Sequence, residues 1–284
     1  MIFALAICFV SLVIASYTDI RTREVPDWLN FSLIAAGFGT RLILSITMWK
    51  FNFLLNGVIG FGVGLALAYL MFYAGQWGGG DSKMLMGLGA LLGLEFSFAD
   101  FFFGFLINLL FVGAMYGLVW SVVLAIRRRK IFSKKAKEQL SKPEFRRLRL
   151  VVISGVALSL VVSIFLNQWQ RLLLLVLAVF AYLMLYLWVF IKAVEESCML
   201  KWVEPEELTE GDWIAKPITI GGKNICGPKD LGIRKEQIRT LIRLHQQKKV
   251  GRVLIKEGIP FVPSFLLAFI VTMIWGNMVP LFLR

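Results

Sequence analysis

This chain of 284 residues has almost no histidine and no closely spaced cysteines. It has one histidine, His245, and three isolated cysteines, Cys8, Cys198 and Cys226. A zinc protease needs a His-Glu-x-x-His run, and zinc sites or disulfide frameworks need cysteines at short spacings. A serine protease of the membrane needs a histidine inside a span. The sequence therefore excludes these classes, and it predicts no metal site and no cofactor.

Charged residues are also scarce, at 17% of the chain, whereas 58% of its residues are hydrophobic. This balance is typical of an integral membrane protein. The net charge of +13 does not indicate nucleic-acid binding here, because membrane proteins concentrate Lys and Arg in their cytoplasmic loops. Residues 127–149 alone hold 11 of the 31 basic residues. We expect this segment to be a cytosolic loop that also contacts anionic membrane lipid.

Eight apolar stretches are long enough to span or nearly span a bilayer. They are Ile2–Tyr17, Leu29–Met48, Phe53–Ala74, Lys83–Leu94, Phe98–Ile126, Leu150–Leu166, Arg171–Ile191 and Phe261–Phe282. If the N-terminus lies outside, the odd-numbered helices end in the cytoplasm and the basic loops lie inside, as the positive-inside rule requires. The fourth stretch is short, so the residues that precede it are expected to form an entry lined by protein.

The chain is thus predicted to be an all-α polytopic membrane protein with about eight transmembrane helices and a small α+β cytosolic insert. Its predicted parts are a membrane domain over 1–194 that includes helices 1 to 7 and the basic cytosolic loop 127–149, a small cytosolic domain over 195–258, and the last transmembrane helix within 259–284. In the insert, apolar spacing predicts a helix over 233–250, and short strands are expected around Trp213–Ile220 and Arg252–Lys256. His245 falls on that helix and is expected to be a partly packed surface residue.

Two features inside the predicted spans have structural interpretations. The spacings Gly60-x-x-x-Gly64 and Gly89-x-x-x-Gly93 predict close helix packing. Arg41 lies deep in the second span, and we expect it to extend toward the outer interface.

Two aspartates stand at the ends of different predicted spans. Asp19 follows the first stretch and Asp81 precedes the fourth, so helix counting puts both at one membrane face. Two carboxyl groups around one water can hydrolyse a peptide bond, one as base and the other as acid. At short range they would share a proton. The alternative is that they cap helices or pair with Arg21, Arg23 and Lys83 near the interface.

Three motifs lie at the ends of predicted helices, and two of them contain these acids. They are Asp19-Ile-Arg-x-Arg-Glu-Val-Pro-Asp27, Gly78-x-Gly80-Asp81 followed by Ser82-Lys83-Met84-Leu85, and Ile259-Pro260-Phe261-Val262-Pro263. Together they resemble the prepilin peptidase family of GxGD intramembrane aspartyl proteases. The resemblance is closest to the archaeal branch, which includes preflagellin (prearchaellin) peptidases.

This resemblance implies that Asp19 and Asp81 are the catalytic pair. It implies cleavage of leader peptides from type IV pilin-like or archaellin precursors at the cytoplasmic face of the cell membrane, and it favours an archaeal source. Bacterial members often add N-methylation and an N-terminal domain with paired Cys-x-x-Cys motifs. This chain lacks those motifs, so methyltransferase activity is not expected.

Six further residues are candidates for substrate binding or motif support: Gly78, Gly80, Lys83, Glu24, Asp27 and Pro260. Gly78 and Gly80 would let the backbone approach an extended substrate. Glu24 and Asp27 are candidates to hold the basic residues of a leader, although each also fits a solvated loop acid. Pro260 either breaks the last helix near the site or simply starts it.

Two other functional classes remain open. A proton- or cation-coupled transporter or channel could use Asp19 and Asp81, although such proteins usually place ionisable groups near the midplane and show repeated halves. A non-catalytic filament assembly factor could keep the fold and act through the insert.

Overall fold

The computed structural model describes residues 2–95, 97, 99–220, 222–228 and 230–277, and within these residues the chain forms ten α-helices and five short strands. The helices are α1 (Ile2–Thr22), α2 (Asp27–Thr47), α3 (Asn52–Tyr73), α4 (Gly79–Leu92), α5 (Phe101–Arg127), α6 (Arg129–Ser141), α7 (Pro143–Ser163), α8 (Gln168–Val194), α9 (Lys235–Gln246) and α10 (Val262–Trp275). The strands are β1 (Leu200–Val203), β2 (Trp213–Ile214), β3 (Ile218–Ile220), β4 (Lys223–Cys226) and β5 (Val253–Lys256).

Among the helices that the structure describes, five are long and apolar enough to cross a membrane: α1, α2, α3, α5, and α8 with the π turn that follows it. The prediction of a polytopic membrane protein with a small α+β insert is therefore confirmed. Each of the eight apolar stretches lies on a helix, because a backbone in hydrocarbon must satisfy its hydrogen bonds within the segment. The predicted start of the fifth stretch at Phe98 and the end of the eighth beyond residue 277 lie outside the described residues.

The basic segment 127–149 is helical rather than irregular. It forms α6 and the first turns of α7, and Lys142 with extended backbone separates the two helices. The residues before that break are mostly good helix formers such as Lys, Ala, Glu and Gln, and Pro143 occupies the first turn of α7, where a missing N–H costs nothing.

Glycine allows α3 and α4 to pack with their backbones in contact. A Cβ on Gly60 would lie 2.3 Å from the carbonyl oxygen of Gly89, and a Cβ on Gly89 would lie 2.2 Å from that of Gly60. The close packing predicted from the glycine spacing is therefore confirmed.

Arg41 binds backbone carbonyl groups, which the sequence did not predict. Its guanidinium donates hydrogen bonds to the carbonyl oxygens of Leu91 at 3.1 Å, of Phe53 at 2.9 Å, and of Leu92. The last carbonyls of a helix have no intrahelical partner, and arginine supplies five donors that can satisfy them. Arg41 thus caps the end of α4.

The insert is a small α+β structure with its own core. Its strands form a three-stranded sheet in the order β1-β5-β2 and the antiparallel hairpin β3-β4. Strand β2 pairs antiparallel with β5, with Trp213 opposite Lys256. The core comprises Val203, Leu208, Ile214, Cys226, Ile233, Leu241, Val253 and Ile255. Helix α9 contributes Leu241 to it and occupies the middle of the helix predicted over 233–250.

The chain divides into two compact units. The first unit comprises residues 1–119 and 202–284, and its described part contains the core formed by α1, α2, α4, α5 and α10 as well as the insert's core. The second unit comprises residues 120–201 and has two small apolar clusters, one around Val194 and the other around Phe145.

Candidate active site

Asp19 lies in the last turn of α1 on the buried face of the helix. Cys8, Leu12 and Ala15 precede it at the spacing of one helical stripe, and all three are fully buried. The Asp19 residue is only 4% exposed. The helix closes just beyond it, where the N–H of Arg23 donates to the carbonyl oxygen of Asp19 at 3.0 Å.

The start of α10 supplies hydrogen-bond donors to the Asp19 carboxylate. The N–H of Val262 donates to Asp19 Oδ2 at 2.9 Å, and the N–H of Phe261 is also directed at this carboxyl group. The first N–H groups of a helix lack intrahelical partners, and they carry the positive end of the helix dipole. Pro260 is buried directly before them. The Ile259–Pro263 motif therefore positions Asp19 through backbone hydrogen bonds, a role that the sequence did not reveal.

Asp81 is the third residue of α4, and it caps the start of that helix. Its Oδ2 accepts a hydrogen bond from the N–H of Gly78 at 3.0 Å. The residue is partly buried. Asp81 is therefore fixed at the mouth of α4 by the glycine run that precedes it.

Gly80 is the point where the first two motifs meet. A Cβ on Gly80 would lie 3.1 Å from the Val25 Cβ and 3.2 Å from its backbone nitrogen, whereas nothing lies within 4 Å of a Cβ on Gly79. The buried Asn30 side chain also donates to the carbonyl oxygen of Gly80 at 3.4 Å. Close approach of the α1–α2 loop thus explains the glycine at position 80.

These contacts bring the two aspartates into one site. Helices α1 and α4 pack against each other, and the charge of Asp19 acts on Asp81. The two carboxyl groups therefore interact electrostatically, each with at least one backbone N–H donor of its own. An arrangement of this kind can hold a water between an ionised and a protonated carboxyl group.

Lys83 and Asp27 form an ion pair at the edge of the site. The distance from Lys83 Nζ to Asp27 Oδ1 is 2.5 Å, and both side chains are substantially exposed. Asp27 opens α2 and Lys83 lies in the first turns of α4, so the pair links the segments that follow Asp19 and Asp81. Glu24 is exposed in the loop before α2, and no described residue pairs with its carboxylate.

Two other residues, Tyr116 and Trp77, gave no sequence signal of a role at this site. The charge of Asp19 acts on Tyr116 of α5, and Tyr116 lies in a uniformly apolar helix where nothing marks one aromatic residue from another. Trp77 packs its ring against Phe261 and Phe265, with centroids 5.9 and 5.2 Å apart. That packing joins the segment before the glycine run to the start of α10.

Part of the chain that contains both aspartates matches a known family model. Residues 6–122 match the model of the type IV leader peptidase family, and they include both aspartates and the glycine run. The matched range ends well before the motif at the start of α10. The resemblance to prepilin peptidases is therefore confirmed over that range.

Three curated archaeal relatives are similar over part of their length. The chain is 43% identical over 81 residues to a preflagellin peptidase from Methanococcus maripaludis, which is 28% of this chain and 35% of the relative. It is 37% identical over 89 residues to a preflagellin peptidase from Methanococcus voltae, 31% of this chain and 38% of the relative. It is 30% identical over 103 residues to the prepilin peptidase EppA from Methanothermobacter thermautotrophicus, 35% of this chain and 25% of the relative. The chain thus spans only a quarter to two fifths of the length of these relatives.

Proposed function

We propose that this protein is a membrane aspartic endopeptidase that cleaves the leader peptides of type IV pilin-like or archaellin precursors. Asp19 and Asp81 are its catalytic pair. The observation that carries the proposal is that the two acids interact in one site, inside the segment that matches the type IV leader peptidase family. The printed names of the relatives, preflagellin peptidase and prepilin peptidase, support the same substrate class.

In the proposed reaction a water lies between the two carboxyl groups. The ionised carboxylate takes a proton from the water as it attacks the scissile carbonyl carbon. The protonated carboxyl group donates its proton to the carbonyl oxygen, and the amine leaves protonated as the tetrahedral intermediate collapses. The two carboxyl groups exchange roles in the second half of the reaction, so no cofactor is needed.

We assign the base to Asp19. Backbone N–H groups of Val262 and Phe261 point at its carboxyl group, and Arg23 contributes a positive charge nearby. Hydrogen bonds to a carboxylate favour its charged form. Asp81 has one backbone donor, Gly78, and it experiences the charge of Asp19, so it is the member that carries the shared proton.

The positions of the acids favour a protease over a transporter. Asp19 lies in the last turn of α1 and Asp81 in the first turn of α4, so both are at helix ends. Coupling sites of secondary transporters lie near the midplane, commonly between repeated halves. A non-catalytic assembly factor would not need a pair of acids held by backbone donors, because burying a carboxylate costs free energy unless it is paired or hydrogen-bonded.

We place the site at the cytoplasmic face of an archaeal cell membrane. The net charge of +13 and the concentration of Lys and Arg in residues 127–149 support this orientation. The precursor leaders that the resemblance implies are basic, so exposed acids beside the site would attract them. Glu24 is the acid best suited to that role, since Asp27 already pairs with Lys83.

The test is precursor cleavage by aspartate variants in detergent, with the new N-terminus sequenced. Asp19→Asn and Asp81→Asn are each expected to abolish cleavage while membrane insertion and thermal unfolding stay close to wild type, because each role needs a titratable carboxyl group. Asp212→Asn is a matched control in the insert, where Asp212 accepts a hydrogen bond from Thr209 N–H that an amide oxygen can also accept. Substantial cleavage by either site variant would remove that residue from the chemistry.

A further inference from the structure

Three side chains that commonly bind metals converge in the insert, in a cluster formed by Glu204, Glu206 and His245. One ligand atom from each residue lies within 4.8 Å of the other two. His245 Nε2 is 3.6 Å from Glu204 Oε2 and 4.0 Å from Glu206 Oε2. The two glutamates flank Pro205 at a 3₁₀ turn, and His245 lies in the last turn of α9. The cluster therefore joins two elements that are distant in sequence.

The surroundings of the cluster orient its ligand atoms. His245 Nδ1 lies 2.9 Å from the carbonyl oxygen of Val250, which can only accept a hydrogen bond. Nδ1 must therefore carry the hydrogen, and in the neutral ring Nε2 presents its lone pair to the two carboxylates. The second oxygen of Glu204 accepts a hydrogen bond from Arg252 Nε at 2.8 Å. Such partners outside the cluster are typical of histidines and carboxylates that bind metals.

We propose that Glu204, Glu206 and His245 bind one divalent transition-metal ion, with Zn²⁺ as its representative. The ion takes Nε2 of the histidine and one oxygen from each carboxylate, and the fourth position faces solvent beside the exposed Glu206. Tetrahedral zinc with bonds of about 2.0–2.2 Å holds its ligands roughly 3.3–3.6 Å apart. The present separations lie within 4.8 Å, and small rotations of the exposed Glu206 and the partly buried Glu204 side chains would bring them into that range.

The metal would stabilise the insert rather than take part in catalysis. The insert has a small apolar core, and its only cysteine near that core, Cys226, is a buried free thiol, so no disulfide holds it together. Small domains of this kind commonly depend on a metal or another cross-link. An ion at this cluster would tie the 3₁₀ turn, which follows β1, to the end of α9, close to β5.

The alternative occupant of the cluster is a proton. A protonated His245 would form ion pairs with both carboxylates and would satisfy the same geometry without a metal. The two states are distinguished by direct measurement of bound Zn²⁺ at pH 7.5, where a neutral histidine can bind the ion.

The experiment uses tag-free, full-length protein in detergent, stripped with a chelator and then dialysed against Zn²⁺ of known free concentration. Elemental analysis is expected to find one equivalent of zinc. His245→Gln and Glu206→Gln should each weaken binding by at least tenfold, and Glu207→Gln, in the same turn, is the matched control that should bind as wild type. Zinc should also slow hydrogen exchange of the α9 amides in wild type and not in His245→Gln.

Substoichiometric zinc, or equal affinity in wild type and both ligand variants, would overturn the proposal. Binding that is lost equally in Glu207→Gln would show nonspecific attraction to acidic groups and would overturn it as well. None of these outcomes depends on precursor cleavage, so the experiment tests the metal site independently of the proposed peptidase activity.

Discussion

Asp19 combines deep burial with donors that favour its ionised form. Its side chain is surrounded by the core of the first unit, and the backbone of Val262 contacts it from 243 residues away in sequence. A buried carboxylate without such partners costs several kcal/mol or changes its protonation state. A buried carboxylate stabilised in this way is typical of a site where the carboxylate takes part in catalysis.

The dependence of cleavage on pH tests whether Asp19 and Asp81 titrate as a pair. Interacting carboxyl groups release their protons in two steps that belong to the pair. Below both steps the base is protonated, and above both steps the acid is ionised, so kcat/KM should follow a bell-shaped curve. Thermal unfolding at each pH serves as the control for stability. A profile with a single limb would mean that one residue titrates alone and that the shared-proton mechanism is wrong.

We expect Glu24 and Asp27 to contribute differently to the binding of the leader peptide. Glu24→Gln should raise KM several-fold for a precursor with a basic leader and leave kcat nearly unchanged, because the free carboxylate acts only on binding. Asp27→Asn should have a smaller effect, since its charge is already opposed by Lys83. Both effects should shrink as salt increases, because exposed charges are screened. A larger effect of Asp27→Asn on KM would reverse the assignment.

At the scale of single elements, the sequence predicted where the helices lie but not where they end. The apolar run of the first span stops at Tyr17, whereas α1 continues to Thr22. The added turn places Asp19 on the buried stripe of the helix instead of in a loop after it. Apolar patterning cannot reveal this, because the turn is stabilised by contact with α10, a long-range partner.

Polar residues within the spans were the least predictable from sequence. Arg41 was expected to extend toward the outer interface, as a lone arginine in a span usually does, and not to bind other groups. Its real partners are backbone carbonyls of Leu91 and Leu92, which carry no sequence signature. Similarly, the proline-containing motif before α10 was recognisable, but the use of its backbone N–H groups became visible only in three dimensions.

The packing of α3 on α4 gives a prediction with an internal control. Gly60→Ala and Gly89→Ala should each destabilise the protein by about 1–3 kcal/mol, since the added methyl group meets backbone that cannot move aside. Gly62→Ala lies on the same helix and meets nothing within 4 Å, so it should be neutral or slightly stabilising. The measurement is thermal unfolding in detergent. Similar unfolding temperatures for all three variants would contradict the backbone contact.

For the whole molecule, the site depends on contacts between residues far apart in sequence. Asn30 donates to the carbonyl oxygen of Gly80, Lys83 pairs with Asp27, and Val262 N–H reaches Asp19. The motifs identified which residues belong together, whereas the donors and distances came only from the fold. In the insert, the sequence predicted the α+β fold but no functional residues. The cluster of Glu204, Glu206 and His245 became apparent only in the structure.

The orientation of the whole molecule in the membrane gives the last prediction. Single cysteines at Lys134 in α6 and at Lys249 in the insert should react with a membrane-impermeant maleimide only after the cytosolic face is opened. A cysteine at Lys50, in a predicted outer loop, should react in intact cells. All three positions are exposed, and the native cysteines are buried, so background labelling should be low. Helix counting predicts that both acids share one membrane side with the basic segment, so the opposite pattern would indicate that Asp19 and Asp81 lie at the outer face. The proposed cleavage of precursors on the cytoplasmic side would then be wrong, even if the two carboxyl groups still act as a pair.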